Sequence, residues 1–308
     1  MPLYAESDEW QDIEPIPLDD GGPNALAAIT YSDEYDEAMS YLRAVMARNE
    51  MSDRVLALTE DIIQQNPAHY TVWLYRAKVV LTLGKDLRDE LAWLNAAALK
   101  NLKNYQIWHH RQTIVDKLAD PAGEQDFIAR MLVKDSKNYH VWSYRQWLVR
   151  RFALWDKGEI EAVDALLRED VRNNSAWNHR WFLVFAGNPG SFSQKAVLDR
   201  EMDYAKAAVK LAPQNPSPWN YLRGIVRHAK LPQSTLKDLA SEYASVDKPD
   251  EVSSSHALDL LADIYAEEES TKENAAKALD LLAKRYDPIR ENYWNYRKSL
   301  LDQPRVVA

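Results

Sequence analysis

The sequence predicts an all-α protein built as a solenoid of about seven helical hairpins. Three observations lead to this fold class. Tryptophan recurs at a period of 34 or 35 residues, apolar residues between the tryptophans follow helical spacing, and glycine is scarce, with 8 residues among 308. A fixed period of this length is typical of stacked helical repeats, whereas an all-β chain of this size would need more glycine for its turns.

The tryptophan register is the strongest of these signals. Six of the 11 tryptophans belong to it, and the intervals between the first five are 35, 34, 35 and 42 residues. The sixth follows 75 residues later, which leaves room for one degenerate unit. The six positions are Trp73, Trp108, Trp142, Trp177, Trp219 and Trp294. The repeat array is therefore expected to extend from residue 30 to residue 301.

A short motif surrounds each of these tryptophans. It reads HYTVWLYR (69–76), NYQIWHHR (104–111), NYHVWSYR (138–145), NNSAWNHR (173–180), NPSPWNYLR (215–223) and ENYWNYR (291–297). Arginine lies three residues after the tryptophan in five of the six copies, whereas in the remaining copy Leu222 takes that place and Arg223 follows it. Because residues three apart share a helix face, we interpret most of these Trp and Arg positions as contacts that join neighbouring hairpins.

A first helix precedes the motif in each unit. Apolar residues at helical spacing predict such helices at 53–65, 87–99, 124–133, 159–167 and 198–211. The sixth unit, around 255–265, keeps an apolar helix but lacks the Trp and the Arg. Asparagine is expected to cap the second helix, because its side-chain oxygen accepts hydrogen bonds from the free N–H groups of the first turn. The expected caps are Asn66, Asn104, Asn138, Asn173 and Asn215.

Charge is distributed unevenly along the chain. The formal net charge is −9, but residues 1–42 contain 11 acidic residues and no Lys or Arg, which leaves 38 basic and 36 acidic residues in the remainder. We therefore expect residues 1–29 to be an acidic, flexible leader, residues 30–301 to form the helical-hairpin repeat domain, and residues 302–308 to be a C-terminal tail. A nearly neutral body argues against nucleic-acid binding, which requires a dominant basic face.

Cysteine is absent from the sequence. This excludes disulfides, a thiolate nucleophile and a cysteine-based zinc site within the chain, and it is typical of a protein from a reducing compartment, so a cytoplasmic location is expected. No run of 18 apolar residues predicts a membrane span, and the first ten residues lack the pattern of a secretory signal.

The repeats resemble those of protein prenyltransferase alpha subunits, whose signature is close to Asn-Tyr-x-x-Trp-x-x-Arg. KNYQIWHHR (103–111) and KNYHVWSYR (137–145) match it in full, and NNSAWNHRWF and NPSPWNYLRG look like the next two units. The two full matches are most similar to the subunit shared by farnesyltransferase and type I geranylgeranyltransferase. The tetratricopeptide repeat has a similar period but requires Leu-Gly after its Trp. A non-enzymatic scaffold of that type remains an alternative on the period alone.

The resemblance implies a crescent-shaped, right-handed superhelix that wraps around a catalytic beta subunit and is inactive alone. Such a heterodimer transfers farnesyl or geranylgeranyl from prenyl diphosphate to the cysteine of a C-terminal CaaX motif in a protein or peptide. The resemblance also implies that Zn²⁺ is held by the beta subunit rather than by this chain, and that Mg²⁺ can accompany the diphosphate. The Rab geranylgeranyltransferase alpha subunit is the alternative within the family.

The two fully matching segments carry the expected site. Lys103 and Lys137 directly precede the caps of two helices, and a helix N-terminus favours anions. By position in the motif, Lys103 is expected to contact the diphosphate and Tyr139 to hydrogen-bond it, so these two are the predicted catalytic residues. Gln106 matches the position that binds the peptide carboxylate, a role that suits an amide donor. The same substrate cavity is expected to be lined by Asn104, Tyr105, Asn138 and His140.

Two adjacent histidines, His109 and His110, follow the second repeat tryptophan. On a helix their side chains point about 100° apart, so they are expected to be structural rather than a metal-binding pair. No metal site is predicted in this chain.

Overall fold

The structure, a computed structural model, describes residues 4–19, 21–22, 26–27, 29–188 and 190–302. Within these ranges there are α-helices and shorter helical turns, and no β-strand. The α-helices are α1 (Asp33–Ala47), α2 (Asp53–Gln65), α3 (Tyr70–Leu83), α4 (Leu87–Lys100), α5 (Tyr105–Leu118), α6 (Glu124–Lys134), α7 (Tyr139–Phe152), α8 (Glu159–Glu169), α9 (Asn174–Trp181), α10 (Lys195–Leu211), α11 (Pro216–His228), α12 (Lys237–Ser241), α13 (Ser255–Tyr265), α14 (Lys272–Leu281) and α15 (Glu291–Ser299). The predicted all-α fold class is confirmed.

Shorter turns complete the described chain. π-helical turns at Phe182–Ala186 and Leu282–Tyr286 continue α9 and α14. The 3-10 turns are Tyr4–Glu6, Asp8–Trp10, Ser191–Ser193, Gln233–Leu236, Pro249–Glu251, Glu269–Thr271, Pro288–Arg290 and Leu300–Asp302. None of the helices in the described part of the chain combines the length and the apolar character that crossing a membrane requires.

The helices form two compact units, Met1–Phe152 and Ala153–Ala308. In the first unit α1 packs on α2, and three hairpins follow it, α2–α3, α4–α5 and α6–α7. The second unit contains the hairpins α8–α9, α10–α11, α12–α13 and α14–α15. The described helices therefore form seven hairpins, as the period predicts, and α1 is an additional helix before the first of them.

Local sequence signals begin several of these helices and end α3. Ser52 caps α2 by accepting a hydrogen bond from the Val55 N–H, and Asp86 caps α4 by accepting one from the Arg88 N–H. Helix α3 ends at Gly84, whose left-handed backbone (φ 63°) is a conformation that glycine adopts without strain.

Asn66 is the exception among the predicted caps, and the expectation for it was wrong. Helix α3 begins three residues later than expected, after His69, whose side chain makes no capping bond. The Asn66 amide is used within its own turn, because its oxygen accepts from the Ala68 N–H and its nitrogen donates to the Tyr35 hydroxyl on α1. Three residues separate Asn66 from the first residue of α3, so its oxygen bonds within the turn while its nitrogen joins the turn to α1.

The leader also differs from the expected flexibility over residues 4–19. Trp10 and Ile13 are each only 4% exposed, and Ile16 hydrogen-bonds through its backbone N–H to the Ser40 carbonyl of α1. These few apolar residues pack on α1 and α2. The amino-acid composition alone does not reveal this packing. The expected tail at 302–308 lies outside the described residues except for Asp302.

A buried arginine joins each of three pairs of neighbouring hairpins. The guanidinium of the arginine that follows the repeat tryptophan makes two parallel hydrogen bonds, of 2.7–2.9 Å, to a glutamate in the first helix of the next hairpin. These pairs are Arg76–Glu90, Arg111–Glu124 and Arg180–Glu201. The interpretation of the repeat arginines as contacts between hairpins is confirmed at these positions.

These three glutamates, and Glu159 at the equivalent position of α8, also bind the second helix of their own hairpin. Each carboxylate accepts a hydrogen bond of 2.7–2.9 Å from the side chain two residues after the tryptophan. These contacts are His110–Glu90, Tyr144–Glu124, His179–Glu159 and Tyr221–Glu201. His110 is therefore a buried structural residue, as expected, whereas its neighbour His109 is exposed.

An aromatic ring covers each of these arginines. The guanidinium carbon lies 3.5–3.8 Å from the centroid of a ring three residues after the glutamate, on the same helix. The rings are Trp93, Phe127 and Tyr204. A guanidinium that is both paired and stacked is well suited to burial, because its charge is neutralised and its flat faces contact carbon. The glutamate and the ring at this three-residue spacing were missed from the sequence, although the spacing recurs in it.

The last hairpins of the second unit are joined by a different set of charges. Arg223 on α11 and Arg297 on α15 both reach Asp259 and Asp263 on α13. Burial raises the pKa of Asp263, and the two guanidinium groups oppose that shift. The arginine that comes one residue late in the fifth motif thus pairs with the sixth unit, the one that lacks Trp and Arg.

The Glu124→Gln variant tests the buried arginine contacts. It leaves the Arg111 guanidinium, which is 2% exposed, without its carboxylate, and an uncompensated buried charge costs about 3–5 kcal/mol of folding free energy. Urea denaturation of the purified protein should show a loss of this size. Asp199→Asn, which breaks an exposed pair with Lys195, is the control and should cost about 0–1 kcal/mol. Equal losses in the two variants would contradict the assignment.

Alkaline pH should destabilise the protein through its buried tyrosines. Burial and the adjacent Glu124 carboxylate raise the pKa of Tyr144 far above its ordinary value of 10.0, and burial and Glu201 do the same for Tyr221. Burial also raises the pKa of Tyr204 to about 12. Above pH 10 the unfolded chain loses phenol protons that the folded chain keeps, so stability is complete below pH 10 and decreases as the pH rises further.

The Tyr144→Phe variant isolates one of these groups. Its free energy of unfolding, measured by denaturant titration from pH 8 to pH 11.5, should decrease less steeply above pH 10 than that of the unmodified protein. The difference in slope for one tyrosine approaches about 1.4 kcal/mol per pH unit. Parallel curves for the two proteins would rule out Tyr144 as a source of the alkaline sensitivity.

Candidate functional site

The predicted site residues lie on two neighbouring turns of the first unit. One turn joins α4 to α5 and ends at Asn104, and the other joins α6 to α7 and ends at Asn138. The Asn138 amide donates a 2.9 Å hydrogen bond to the Leu102 carbonyl, which connects the second turn directly to the first. The structure thus brings together the two segments that match the family signature in full.

Asn104 and Asn138 each form hydrogen bonds through both the oxygen and the nitrogen of the side-chain amide. The Asn104 oxygen accepts from the Ile107 N–H of α5, and the Asn138 oxygen accepts from the His140 and Val141 N–H groups of α7. The Asn104 amide nitrogen donates to the Pro67 carbonyl of the preceding turn at 2.8 Å. The predicted caps at both positions are confirmed, and each one also fixes the distance between consecutive turns.

The hydrogen bond from an asparagine to the preceding turn recurs outside the site. The Pro67 carbonyl also accepts from the Trp73 indole, and in the second unit the Val171 carbonyl accepts from Trp177 and Asn215 in the same way. The Pro213 carbonyl accepts from the Trp219 indole and from the hydroxyl of Ser254, which takes the place of asparagine in the sixth unit. The site is therefore built on a feature that the repeat supplies to other turns as well.

Three aromatic rings cluster above the two turns. The Tyr105 and His140 ring centroids are 4.2 Å apart and the Tyr139 and His140 centroids 5.5 Å apart, both in edge-to-face contact. Burial lowers the pKa of His140, and a hydrogen bond with the Lys103 backbone partly offsets that shift. His140 therefore lies beside both turns and favours the neutral state at neutral pH.

The two tyrosines of the cluster are exposed. Tyr105 is 66% and Tyr139 69% accessible, although both begin helices whose later residues are deeply buried. Tyr70, at the same position of the preceding hairpin, is exposed to the same extent at 66%. The core of the repeats does not require these three exposed tyrosines. They therefore make an aromatic surface available to a ligand or partner.

Lys103 and Gln106 lie on either side of the Asn104 cap. The Lys103 side chain is exposed, whereas Gln106 is half-buried and its amide donates to the Ala68 carbonyl at 3.2 Å. A glutamine NH₂ group has two N–H donors and its oxygen can accept, so this bond leaves further hydrogen-bonding capacity. Pro67 and Ala68, which hold Asn104 and Gln106, were not predicted as part of the site.

The surface formed by the two turns combines several groups that attract anions. The first N–H groups of α5 and α7 emerge at the two turns, and both helices have 14 residues, so their N-terminal ends carry a partial positive charge. The Lys103 ammonium adds a full charge in front of one of these ends, and two exposed phenols can donate hydrogen bonds. Such an arrangement suits an anionic ligand with several oxygen atoms.

The family profile described as "Protein prenyltransferase alpha subunit repeat" matches five segments of the chain, which together make up more than half of it. They are residues 52–83, 87–118, 121–152, 156–186 and 198–229. The segments coincide with the hairpins from α2–α3 to α10–α11, and the second and third contain the two turns of the site.

Whole-chain comparisons agree with the profile. The chain is 38% identical to the "Protein farnesyltransferase/geranylgeranyltransferase type-1 subunit alpha" of Dictyostelium discoideum, over 99% of this chain and 96% of that protein. It is 39% identical to the subunit of the same name from Candida albicans, over 95% and 97%. A chain of the solved Candida albicans protein geranylgeranyltransferase-I complexed with GGPP superposes with a TM-score of 0.87 at 38% identity, covering 94% of this chain and 97% of that one.

Two variants of Asn104 test its cap on α5 separately from its hydrogen bond to Pro67 in the preceding turn. Asn104→Asp keeps an oxygen that caps α5 but replaces the NH₂ donor with a second oxygen that faces the Pro67 carbonyl, whereas Asn104→Ala removes both functions. We expect a loss of about 0.5–2 kcal/mol for the missing cap, and a further loss where the Pro67 carbonyl loses the Asn104 donor and keeps only the Trp73 indole. Thermal unfolding should therefore show both variants destabilised. A fully stable Asn104→Asp protein would show that the hydrogen bond from Asn104 to Pro67 contributes nothing to the stability of the fold.

Proposed function

The chain belongs to the family of protein prenyltransferase alpha subunits, and we propose that it is the alpha subunit shared by a farnesyltransferase and a type I geranylgeranyltransferase. In this role it pairs with a catalytic beta subunit and is inactive alone. The assembled enzyme transfers a farnesyl or geranylgeranyl group to the cysteine of a C-terminal CaaX motif. The observation that carries the proposal is the pair of connected turns at 101–104 and 135–138, where an exposed lysine and two exposed tyrosines lie at two helix N-termini.

The reaction explains why such a surface is useful. A bond between sulfur and the first prenyl carbon forms while the bond from that carbon to the diphosphate oxygen breaks, and the diphosphate leaves with the electron pair. Negative charge therefore accumulates on the diphosphate in the transition state. We assign Lys103 to contact this charge and Tyr139 to donate a hydrogen bond to it. One preorganised donor of this kind contributes roughly 10²–10³ in rate.

Peptide recognition is assigned to the other side of the same turns. The Gln106 amide is suited to the terminal carboxylate of the substrate, because it can donate a hydrogen bond without adding charge. In the same cavity we place Asn104, Tyr105, Asn138 and His140. His140 fixes the orientation of both tyrosine rings through edge-to-face contacts.

We place the metal chemistry on the partner. Zn²⁺ bound to the beta subunit would activate the acceptor cysteine as a thiolate, and Mg²⁺ can accompany the diphosphate. The described residues of this chain offer no group of three or more His, Asp or Glu side chains arranged to hold a metal ion, so no step is assigned to a metal here. We propose a cytoplasmic location for the heterodimer.

The Rab-type alpha subunit is the second candidate within the family. The chain is 30% identical to the "Geranylgeranyl transferase type-2 subunit alpha" of Bos taurus, but the similarity covers only 62% of this chain and 36% of that protein. The type-1 relatives match over nearly their whole length, which favours the shared subunit. Activity on a short CaaX peptide without an escort protein would support the type-1 role, and a strict need for an escort would support the Rab-type role.

The Lys103→Ala variant tests the assigned site. Coexpressed with a matching beta subunit, it should still form the heterodimer, because the Lys103 side chain is exposed and lies outside the buried core of the repeats. Turnover of a CaaX peptide should decrease at least severalfold, and up to roughly 10²–10³-fold. Single-turnover kinetics at saturating prenyl diphosphate is the measurement.

Lys100→Ala is the matched control. Lys100 is an exposed lysine three residues earlier, at the end of α4, and its removal should leave turnover unchanged. An unchanged rate in Lys103→Ala would remove that residue from the mechanism. Prenyl transfer by the purified chain without any partner would overturn the proposal that this chain is inactive without a catalytic beta subunit.

A further inference from the structure

The first described residues of the chain form a distinct layer on α1 and α2. We call residues 4–16 the strap. Two 3-10 turns, Tyr4–Glu6 and Asp8–Trp10, begin it, and an extended segment follows. Its two apolar anchors, Trp10 and Ile13, are as deeply buried as the helix core, at 4% exposure each.

An aromatic cluster holds the first half of the strap. The Trp10 ring packs edge-on against Tyr41 of α1 with centroids 5.5 Å apart, and Tyr4 packs against both rings at 5.3 and 5.5 Å. The Tyr4 hydroxyl donates to the Asp61 carboxylate of α2 at 2.7 Å. The strap therefore spans both helices, since its aromatic residues contact α1 and its phenol reaches α2.

Three arginines hold the second half. Arg43 donates to the Ile16 carbonyl at 2.7 Å, Arg48 to the Asp12 carbonyl at 2.9 Å, and Arg54 to the Asp12 carboxylate at 2.6 and 3.0 Å. The Arg54 guanidinium also lies 5.0 Å from the Trp10 ring centroid. These are the first three basic residues of the sequence, and all three contact the acidic segment that precedes them.

The end of the helical stack explains why such a layer is needed. At the later interfaces described above, a hairpin is covered by the one before it through an arginine–glutamate pair. Among the residues that the structure describes, α1 is the only α-helix before α2–α3. Tyr75, which corresponds to Tyr144 two hairpins later, has no such glutamate and donates instead to the backbone carbonyls of Val45 and Glu50. Terminal repeats of solenoids require a cap, because their outer face would otherwise expose apolar surface.

We propose that the strap is the N-terminal cap of the helical stack, a detachable segment that keeps α1 and α2 folded and is retained partly by salt-sensitive arginine contacts. Trp10 and Ile13 supply the apolar cover that a preceding hairpin supplies at the later interfaces. Asp12 pairs with Arg54 with the charges in the opposite order, since here the carboxylate belongs to the covering segment. The side chains of Arg54 and Asp12 are 17% and 60% exposed, so dissolved ions can screen this pair. The proposal does not depend on the enzymatic role of the chain.

Hydrogen exchange followed by mass spectrometry tests the cap on the full-length chain in complex with its partner subunit. In Trp10→Ala, amides of α1 and α2 should exchange about 10- to 100-fold faster, while those of α4–α7 keep their rates. Asp12→Asn should give a smaller increase in the same two helices, and the unmodified protein should show a similar increase when the salt concentration is raised. Asp250→Asn, which breaks an exposed pair with Arg285 in the second unit, is the control and should leave α1 and α2 unchanged.

Two results would overturn the proposal. Unchanged exchange of α1 and α2 in both strap variants would show that the segment rests on the stack without supporting it. An equal increase throughout α1–α7 would show that the strap belongs to one cooperative core and is not a local cap. Because Asp12→Asn removes only a surface charge, it remains informative even where Trp10→Ala fails to fold.

Discussion

A carboxylate shared between two hairpins is the contact on which the stacking of the repeats depends. At three interfaces a buried glutamate accepts two bonds from an arginine of the preceding hairpin and one from a tyrosine or histidine of its own. Burial alone would raise the pKa of Glu90, but the hydrogen bonds from His110 and Arg76 outweigh burial and keep that pKa below its ordinary value. The carboxylate is thus held in its charged form, the form that the arginine requires.

This contact contributes more to geometry than to net stability. Removing two charges from water costs about as much as their attraction returns, so a buried pair need not be stabilising relative to apolar residues. A planar guanidinium that must meet both carboxylate oxygens and also lie on an aromatic ring is satisfied in only one arrangement. The pair therefore excludes slipped packings of helices whose apolar surfaces are otherwise similar, and it fixes the positions of the turns.

The proposed site is a consequence of that fixed geometry. Asn104 and Asn138 are used by the repeat itself, because each caps a helix and the amide of each ties its turn to the preceding one. Once the backbone is held in this way, the neighbouring positions 103, 105 and 139 need not contribute to the core, and their side chains are exposed. A repeat protein can therefore place a reactive surface at particular turns without weakening its stack, since different residues of the same motif serve the two purposes.

The sequence by itself determined the helices from α2 to α11, their pairing into hairpins, the caps at Asn104, Asn138, Asn173 and Asn215, and the two turns to which the site is assigned. These features follow from side chains a few residues apart, whose spacing along a helix is set by its pitch. Only the tertiary structure decided that Asn66 bonds Tyr35 instead of capping α3, that Gln106 reaches Ala68, that the acidic leader packs on α1 and α2, and which glutamates meet the repeat arginines. Their partners lie 13 to 57 residues away along the chain, and such pairs are selected by the stacking of whole hairpins, which no local pattern contains.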